Sequence, residues 1–139
     1  MSLEENKAIA REWVRRFNLA DAKLLTELYS DEEFNWRISG LSPVSAAYDK
    51  KGAIELLTKS FAVKMKRPMH LVLKSITAEE DRVSFEMAGE AQFENGATIK
   101  NYYHMLITVR NGKIVRGRAY FDTYTAANSP LQRGLEAQS

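Results

Sequence analysis

Two side chains in the last third of the chain could carry acid–base chemistry. One is His104, since a histidine side chain suits general acid–base catalysis at neutral pH. Asp122 could be a second acid–base group or a hydrogen-bond anchor for a ligand, since a buried carboxylate needs a partner or a raised pKa. The structural alternatives are a core histidine bonded to a tyrosine or the main chain, and an Asp122 that belongs to a polar row with Asn101.

Other catalytic classes lack their residues. Cysteine is absent, which excludes disulfides, thiolate catalysis and Cys-based zinc sites. The two histidines, His70 and His104, lie on different predicted strands without metal-binding spacing, so we predict no metal site. The sequence has no Gly-rich phosphate loop and no Gly-x-Ser-x-Gly elbow. We therefore expect no cofactor.

Three predicted strands position these side chains, over residues 82–94, 98–110 and 113–124. Asn95-Gly96 and Asn111-Gly112 separate them and predict two-residue hairpin turns, hence an antiparallel meander. That register places Met87 opposite His104 and Tyr102 opposite Phe121, all on the apolar face of the sheet. One β-bulge would exchange the faces beyond it, and Asp122 is the position where this matters most.

The N-terminal half is predicted to cover that apolar face with helices. Ser2 and Glu5 form a capping box for a first helix, Asp21 caps a shorter second helix, and Asp49 caps a third that ends before Pro68. Residues 34–38 and 69–77 are predicted strands. We predict one domain over residues 1–125 and a partly disordered tail over residues 126–139.

The order of these elements resembles the SnoaL-like branch of the NTF2-like superfamily. The resemblance is carried by Asn101-x-Tyr103, Gly112-Lys113-Ile114 and Arg118-x-Tyr120-Phe121-Asp122-Thr123. It implies an α+β fold in which a strongly curved, mostly antiparallel sheet, covered by about three N-terminal helices, surrounds an apolar cavity. On this resemblance, the predicted ligand-binding residues are the larger apolar and aromatic side chains that could otherwise be plain core: Trp13, Phe17, Trp36, Tyr48, Met87, Tyr102 and Phe121.

The resemblance also marks positions where catalytic members of the family carry their reacting groups. They correspond to Trp13, Trp36, either His104 or Met105, and Ala119, whereas Asp122 matches a family acid. The family contains both enzymes and binding proteins, and its members are commonly dimers. Fold alone therefore fixes no activity.

Two functions follow as hypotheses. The first is a protein that binds a small apolar or aromatic molecule in its cavity. The second is a cofactor-independent acid–base enzyme of isomerase, cyclase, dehydratase or epoxide hydrolase type, using His104, Asp122 or both. A structural interaction module that uses the charged sheet face is a third, less supported hypothesis.

The composition of the chain limits which classes of binding partner are expected. The 20 basic and 18 acidic residues are spread through the chain, which gives no reason to expect nucleic-acid binding. No apolar run approaches the ~20 residues that span a bilayer, and the N-terminus is acidic rather than signal-like. We expect a cytoplasmic homodimer that associates through the outer sheet face.

Overall fold

The computed structural model describes residues 1–130 and residue 135. Up to residue 127, the helices and strands follow one another as α1 Leu3–Asn18, α2 Ala22–Thr26, β1 Asn35–Ile38, β2 Ala46–Tyr48, α3 Lys50–Ala62, β3 Met65–Glu79, β4 Arg82–Phe93, β5 Thr98–Arg110, β6 Lys113–Phe121 and α4 Thr123–Ala127. The strands form one sheet in the order β2-β1-β6-β5-β4-β3, antiparallel except for the β1–β6 pair. The predicted α+β fold is confirmed.

Helices α1, α2 and α3 begin where the sequence predicted. Ser2 and Glu5 form the capping box of α1, and the side chains of Asp21 and Asp49 accept main-chain N–H groups at the start of α2 and α3. Helix α1 packs across β3, β4 and β5, and α3 packs against β1 and β2. The two helices therefore cover one face of the sheet, which we call the inner face; the opposite face is the outer face.

The sequence misplaced the end of α3, the start of β3 and the end of β6, and it missed strand β2. Helix α3 ends at Ala62, and β3 begins at Met65, so Pro68 lies inside a strand. This is tolerated because β3 is an edge strand whose register shifts around Pro68. Strand β2 was predicted as loop, and β6 ends at Phe121 because Asp122 starts α4.

The predicted register between β4 and β5 was also wrong, by one residue. The turn contains three residues rather than two: the Phe93 N–H donates to the Ala97 carbonyl (2.8 Å), and Gly96 takes a φ of +88°. As a result Met87 pairs with Tyr103 rather than with His104. The side chains of β5 therefore point to the faces opposite to those predicted. Tyr103, Met105 and Ile107 lie on the inner face, and His104 lies on the outer face.

A bulge in β6 cancels this shift one strand later. Val109 pairs with Ile114 but Thr108 pairs with Arg116, which leaves Val115 as the extra residue. The Asn111-Gly112 turn itself is the predicted two-residue turn, with both residues at positive φ. Because the two shifts cancel, β6 keeps its predicted faces and only β5 is inverted.

Stacked aromatic rings form the centre of the core. The Trp13 ring stacks on Trp36 with centroids 5.8 Å apart, and Tyr29 stacks on the same Trp36 ring at 5.7 Å. Trp36 lies across Gly117 of the paired strand β6, where a Cβ atom would stand 2.7 Å from Trp36 Cδ2 and closer still to Cε3 and Cζ3. Only glycine leaves room for this ring.

The predicted tail begins in ordered structure. Ala126 and Ala127 complete α4, whereas most of residues 126–139 lies outside the described residues, so the prediction for that segment stays a prediction. No helix within the described part of the chain is long and apolar enough to cross a membrane.

Candidate functional site

An apolar cavity lies between the inner face of the sheet and the helices α1 and α3. Its volume is about 240 Å³, and a recess of about 120 Å³ shares several of its walls. The helices contribute Trp13, Phe17, Leu56, Leu57 and Phe61, while the strands contribute Met69, Ala91, Ile99, Tyr103, Met105 and Phe121. Such a concave, mostly apolar space is typical of small-molecule sites.

The few polar groups in the walls are almost all satisfied. The Tyr48 hydroxyl donates to the Val44 carbonyl (2.5 Å), and the Ser60 hydroxyl donates to the Leu56 carbonyl (2.8 Å). In the recess, Trp13 Nε1 donates to the Tyr29 hydroxyl (3.1 Å). The exception is Tyr103, whose hydroxyl has no hydrogen-bond partner among the described residues.

The site is electrically neutral at physiological pH. Burial raises the pKa of Tyr103 to about 12 and also raises the pKa values of Tyr29 and Tyr48, so all three phenols stay protonated. Within the described part of the chain, no Asp, Glu, His, Lys or Arg lines the cavity or its recess. The lining can donate a hydrogen bond, but it supplies no group that would exchange a proton at neutral pH.

The predicted ligand-binding residues divide into three groups. Five line the cavity or its recess, namely Trp13, Phe17, Trp36, Tyr48 and Phe121. Met87 is only 1% exposed and is packed in the core rather than in the cavity walls. Tyr102 is 74% exposed on the outer face, because of the register shift at the turn before β5.

His104 lies on the outer face, so the prediction that it faces the apolar side was wrong. Its Nε2 atom lies 2.5 Å from the Ser84 hydroxyl, and its cross-strand neighbours are Glu86 and Tyr120. The strand backbone separates the imidazole from the cavity.

Asp122 serves as the N-cap of α4. Its carboxylate accepts hydrogen bonds from the Thr125 hydroxyl (2.7 Å) and from the N–H groups of Tyr124 and Thr125. These bonds, that of the Thr125 side chain foremost, hold the pKa of Asp122 below its usual range. The predicted polar row, in which Asn101 lies opposite Asp122 and Glu90, was wrong: Asn101 pairs with Gly89 and is 3% exposed. The Asn101 side chain instead donates to the Asp122 main-chain carbonyl (3.0 Å). His104 and Asp122 do not meet.

A family model described as a SnoaL-like domain matches residues 10–117. The chain belongs to this family. A comparison of the SnoaL-like domain with curated proteins found no match. The resemblance inferred from the sequence is therefore confirmed at the level of the family.

Solved structures share the fold of this SnoaL-like domain. Bal32a, from a soil-derived mobile gene cassette, is 25% identical with a TM-score of 0.75, and the match covers 90% of this chain and 95% of that one. TerC co-crystallized with polyporic acid is 19% identical with a TM-score of 0.74, covering 95% and 98%. SalBIII, an epoxide hydrolase/cyclase-like enzyme with a role in pyran ring formation in polyether salinomycin, is 16% identical with a TM-score of 0.71, covering 88% and 94%. The last two similarities show the fold alone.

Sequence reasoning missed Tyr103, which the structure places in the cavity wall of the SnoaL-like domain. The available signal was Gly96 at the third position of Glu94-Asn95-Gly96, since a three-residue hairpin loop takes a left-handed residue there. Met105 was named only as one of two matches to a family position, and it too lines the cavity. No cluster of three or more potential metal ligands occurs among the described residues.

Proposed function

We propose that this SnoaL-like domain binds a small apolar or aromatic molecule in the cavity between α1, α3 and the sheet. The observation that carries the proposal is the cavity itself, about 240 Å³ of space with apolar walls and one unpaired hydroxyl. Core voids larger than a water molecule are few in proteins, because empty space forfeits packing contacts. A space of this size therefore favours a ligand.

The composition of the walls favours binding over acid–base catalysis. The family positions that carry reacting groups in catalytic members correspond here to Trp13, Trp36, either His104 or Met105, and Ala119. The cavity or its recess is lined by Trp13, Trp36, Met105 and Ala119. None of these side chains exchanges a proton at neutral pH. The enzyme hypothesis would have to use His104 or Asp122, which lie on the outer face and at a helix cap.

A cavity-filling substitution tests the proposal. Ala91 lines the cavity, so Ala91→Leu places three more carbon atoms in the ligand space. Ala88 lies on the same strand with its side chain on the outer face, which makes Ala88→Leu a matched control. The probe is β-ethylnaphthalene, an uncharged two-ring hydrocarbon, titrated by calorimetry.

We expect the Ala91→Leu protein to lose at least about tenfold in affinity while its melting temperature holds or rises, because filling a void restores packing. The Ala88→Leu protein should bind as the wild type does. Equal affinity in all three proteins would place the probe outside the cavity. If the wild-type protein binds neither this probe nor its ketone analogue, β-acetylnaphthalene, the proposal is overturned.

We propose a second copy of this chain as the partner of the outer face. Tyr102 and Tyr120 are 74% and 47% exposed there. Arg37 and Arg118 are direct cross-strand partners of like charge, and among the described residues no carboxylate pairs with either. The other side of this face carries Glu86, which accepts from the Ser75 hydroxyl but has no ion pair within the described chain.

A two-fold axis along β5 would bring the arginine side of one copy over the glutamate side of the other. Arg118→Glu and Glu86→Arg should each shift the protein towards monomer in sedimentation velocity, and the double swap should restore the dimer. A wild-type monomer at micromolar concentration would overturn the dimer proposal.

The cytoplasmic location of the protein stays a prediction.

A further inference from the structure

We infer that the ligand is an uncharged two-ring molecule with one exposed acceptor oxygen, such as an aryl ketone, and that the Tyr103 hydroxyl donates a hydrogen bond to that oxygen. The inference rests on the proposed function, because it specifies the ligand of the same cavity. The inference is carried by the Tyr103 hydroxyl, because Tyr103 belongs to the cavity wall and its hydroxyl has no hydrogen-bond partner among the described residues.

The Tyr103 ring is held in place on the inner face of β5. It lies against Phe121 with ring centroids 5.4 Å apart. It also crosses Gly89 of the neighbouring strand, where a Cβ atom would stand 2.9 Å from Tyr103 Cε2. A side chain packed on both sides presents its hydroxyl at a defined position, which is what a binding site requires of its polar group.

The hydroxyl of Tyr103 has something to gain from a ligand. Covering a hydroxyl with a ligand costs binding free energy unless the ligand supplies a hydrogen bond. The hydroxyls of Tyr48 and Ser60 already donate to main-chain carbonyls, and the hydroxyl of Tyr29 accepts from Trp13 Nε1. A ligand oxygen at Tyr103 would accept a hydrogen bond from this donor, whereas a pure hydrocarbon would cover the hydroxyl and leave it unsatisfied.

Charge and volume define the rest of the ligand. A carboxylate would enter an apolar space in which the described residues offer no cation, and an unpaired buried charge is strongly disfavoured. An apolar cavity of about 150 Å³ binds benzene. The 240 Å³ found here, with an adjoining recess of 120 Å³, therefore suits two rings.

Two probes of equal shape test the inference, β-acetylnaphthalene and β-ethylnaphthalene, which differ in a carbonyl oxygen. Tyr103→Phe deletes only the donor. Tyr102→Phe is the matched control, since Tyr102 is adjacent in sequence and faces outward. We expect Tyr103→Phe to weaken the ketone about 3- to 10-fold, the range of one net hydrogen bond, and to leave the hydrocarbon within twofold.

Tyr102→Phe should leave both affinities within twofold of the wild type. The third probe, β-naphthoate, should bind the wild-type protein at least about tenfold more weakly than the ketone. Equal losses for ketone and hydrocarbon in Tyr103→Phe, or no loss for either, would overturn the role of Tyr103. Naphthoate binding as tightly as the ketone would overturn the neutral ligand. If the wild type binds none of the three, the proposed function itself fails.

Discussion

Replacing Gly117 by alanine tests the packing that shapes the recess. The new methyl group would fall on the six-membered ring of Trp36, 2.7 Å from Cδ2 and nearer to two other ring atoms. Trp36 has little freedom to move, because Trp13 stacks on it at 5.8 Å and Tyr29 at 5.7 Å. Either the ring shifts into the recess or the β1–β6 pairing opens.

The magnitude follows from those contacts. Overpacking a core costs about 1–3 kcal/mol, and a ring held by three stacked neighbours, Trp13, Tyr29 and Phe34, favours the upper end of that range. Removing glycine from a strand returns at most about 1 kcal/mol. We therefore expect Gly117→Ala to lower the free energy of unfolding by about 2 kcal/mol. For a chain of this size, that corresponds to a fall of roughly 6–10 °C in Tm.

Calorimetry and urea denaturation of four proteins provide the measurement: wild type, Gly117→Ala, Trp36→Leu and the double variant. Leucine removes the ring that the methyl group meets, so the cost of Gly117→Ala should largely vanish in the Trp36→Leu background, giving a coupling above about 1 kcal/mol. A Tm change within 2 °C of zero, or the same cost in both backgrounds, would refute the packing described here.

Three further predictions concern single side chains. Met105→Ala, on the inner face, should lower the free energy of unfolding by about 2–5 kcal/mol, whereas Leu106→Ala, on the outer face, should lower it by less than about 1 kcal/mol. If urea denaturation gives the reverse order, the register expected from a two-residue turn before β5 would be correct instead. Burial raises the pKa of Tyr103 from 10.0 to about 12, so its contribution to the free energy of unfolding is full below pH 10 and is lost as pH rises towards 12. At pH 11 the wild-type protein should have lost about 1.4 kcal/mol that the Tyr103→Phe protein keeps, as measured by urea denaturation. The same pH dependence in both proteins would contradict this prediction. The pKa of Asp122 lies below 3.8, so the cap on α4 persists above pH 3.8 and is lost as pH falls through the lowered pKa. At neutral pH, Asp122→Ala should speed hydrogen exchange of the Thr125 amide, because that amide bonds to the Asp122 carboxylate. An unchanged exchange rate would exclude the cap.

The sequence correctly predicted the structural features that depend on residues close together in the chain. The three helix caps at Ser2, Asp21 and Asp49 are side chains that bond to their own first turn, so their patterns are visible in a few residues. The faces of β4 and β6 were also predicted, because apolar and polar residues alternate clearly in both strands.

The orientation of β5 could not be predicted in the same way. Tyr103, Met105 and Ile107 alternate with Tyr102, His104 and Leu106, so either set could face the core. The length of one turn decides between them, and a bulge one strand later hides the error by returning β6 to its expected face. The assignment of His104 to the cavity depended on that turn, as did the omission of Tyr103.

The stacked indoles have a spectroscopic consequence. The chain contains two tryptophans, Trp13 and Trp36, their rings are nearly parallel, with 8° between the planes, and both line the recess. Tryptophan emission from this protein thus originates entirely at the walls of the proposed site. A guest that enters the recess would change the surroundings of both rings and hence their emission, so the native chain reports its own occupancy without a label.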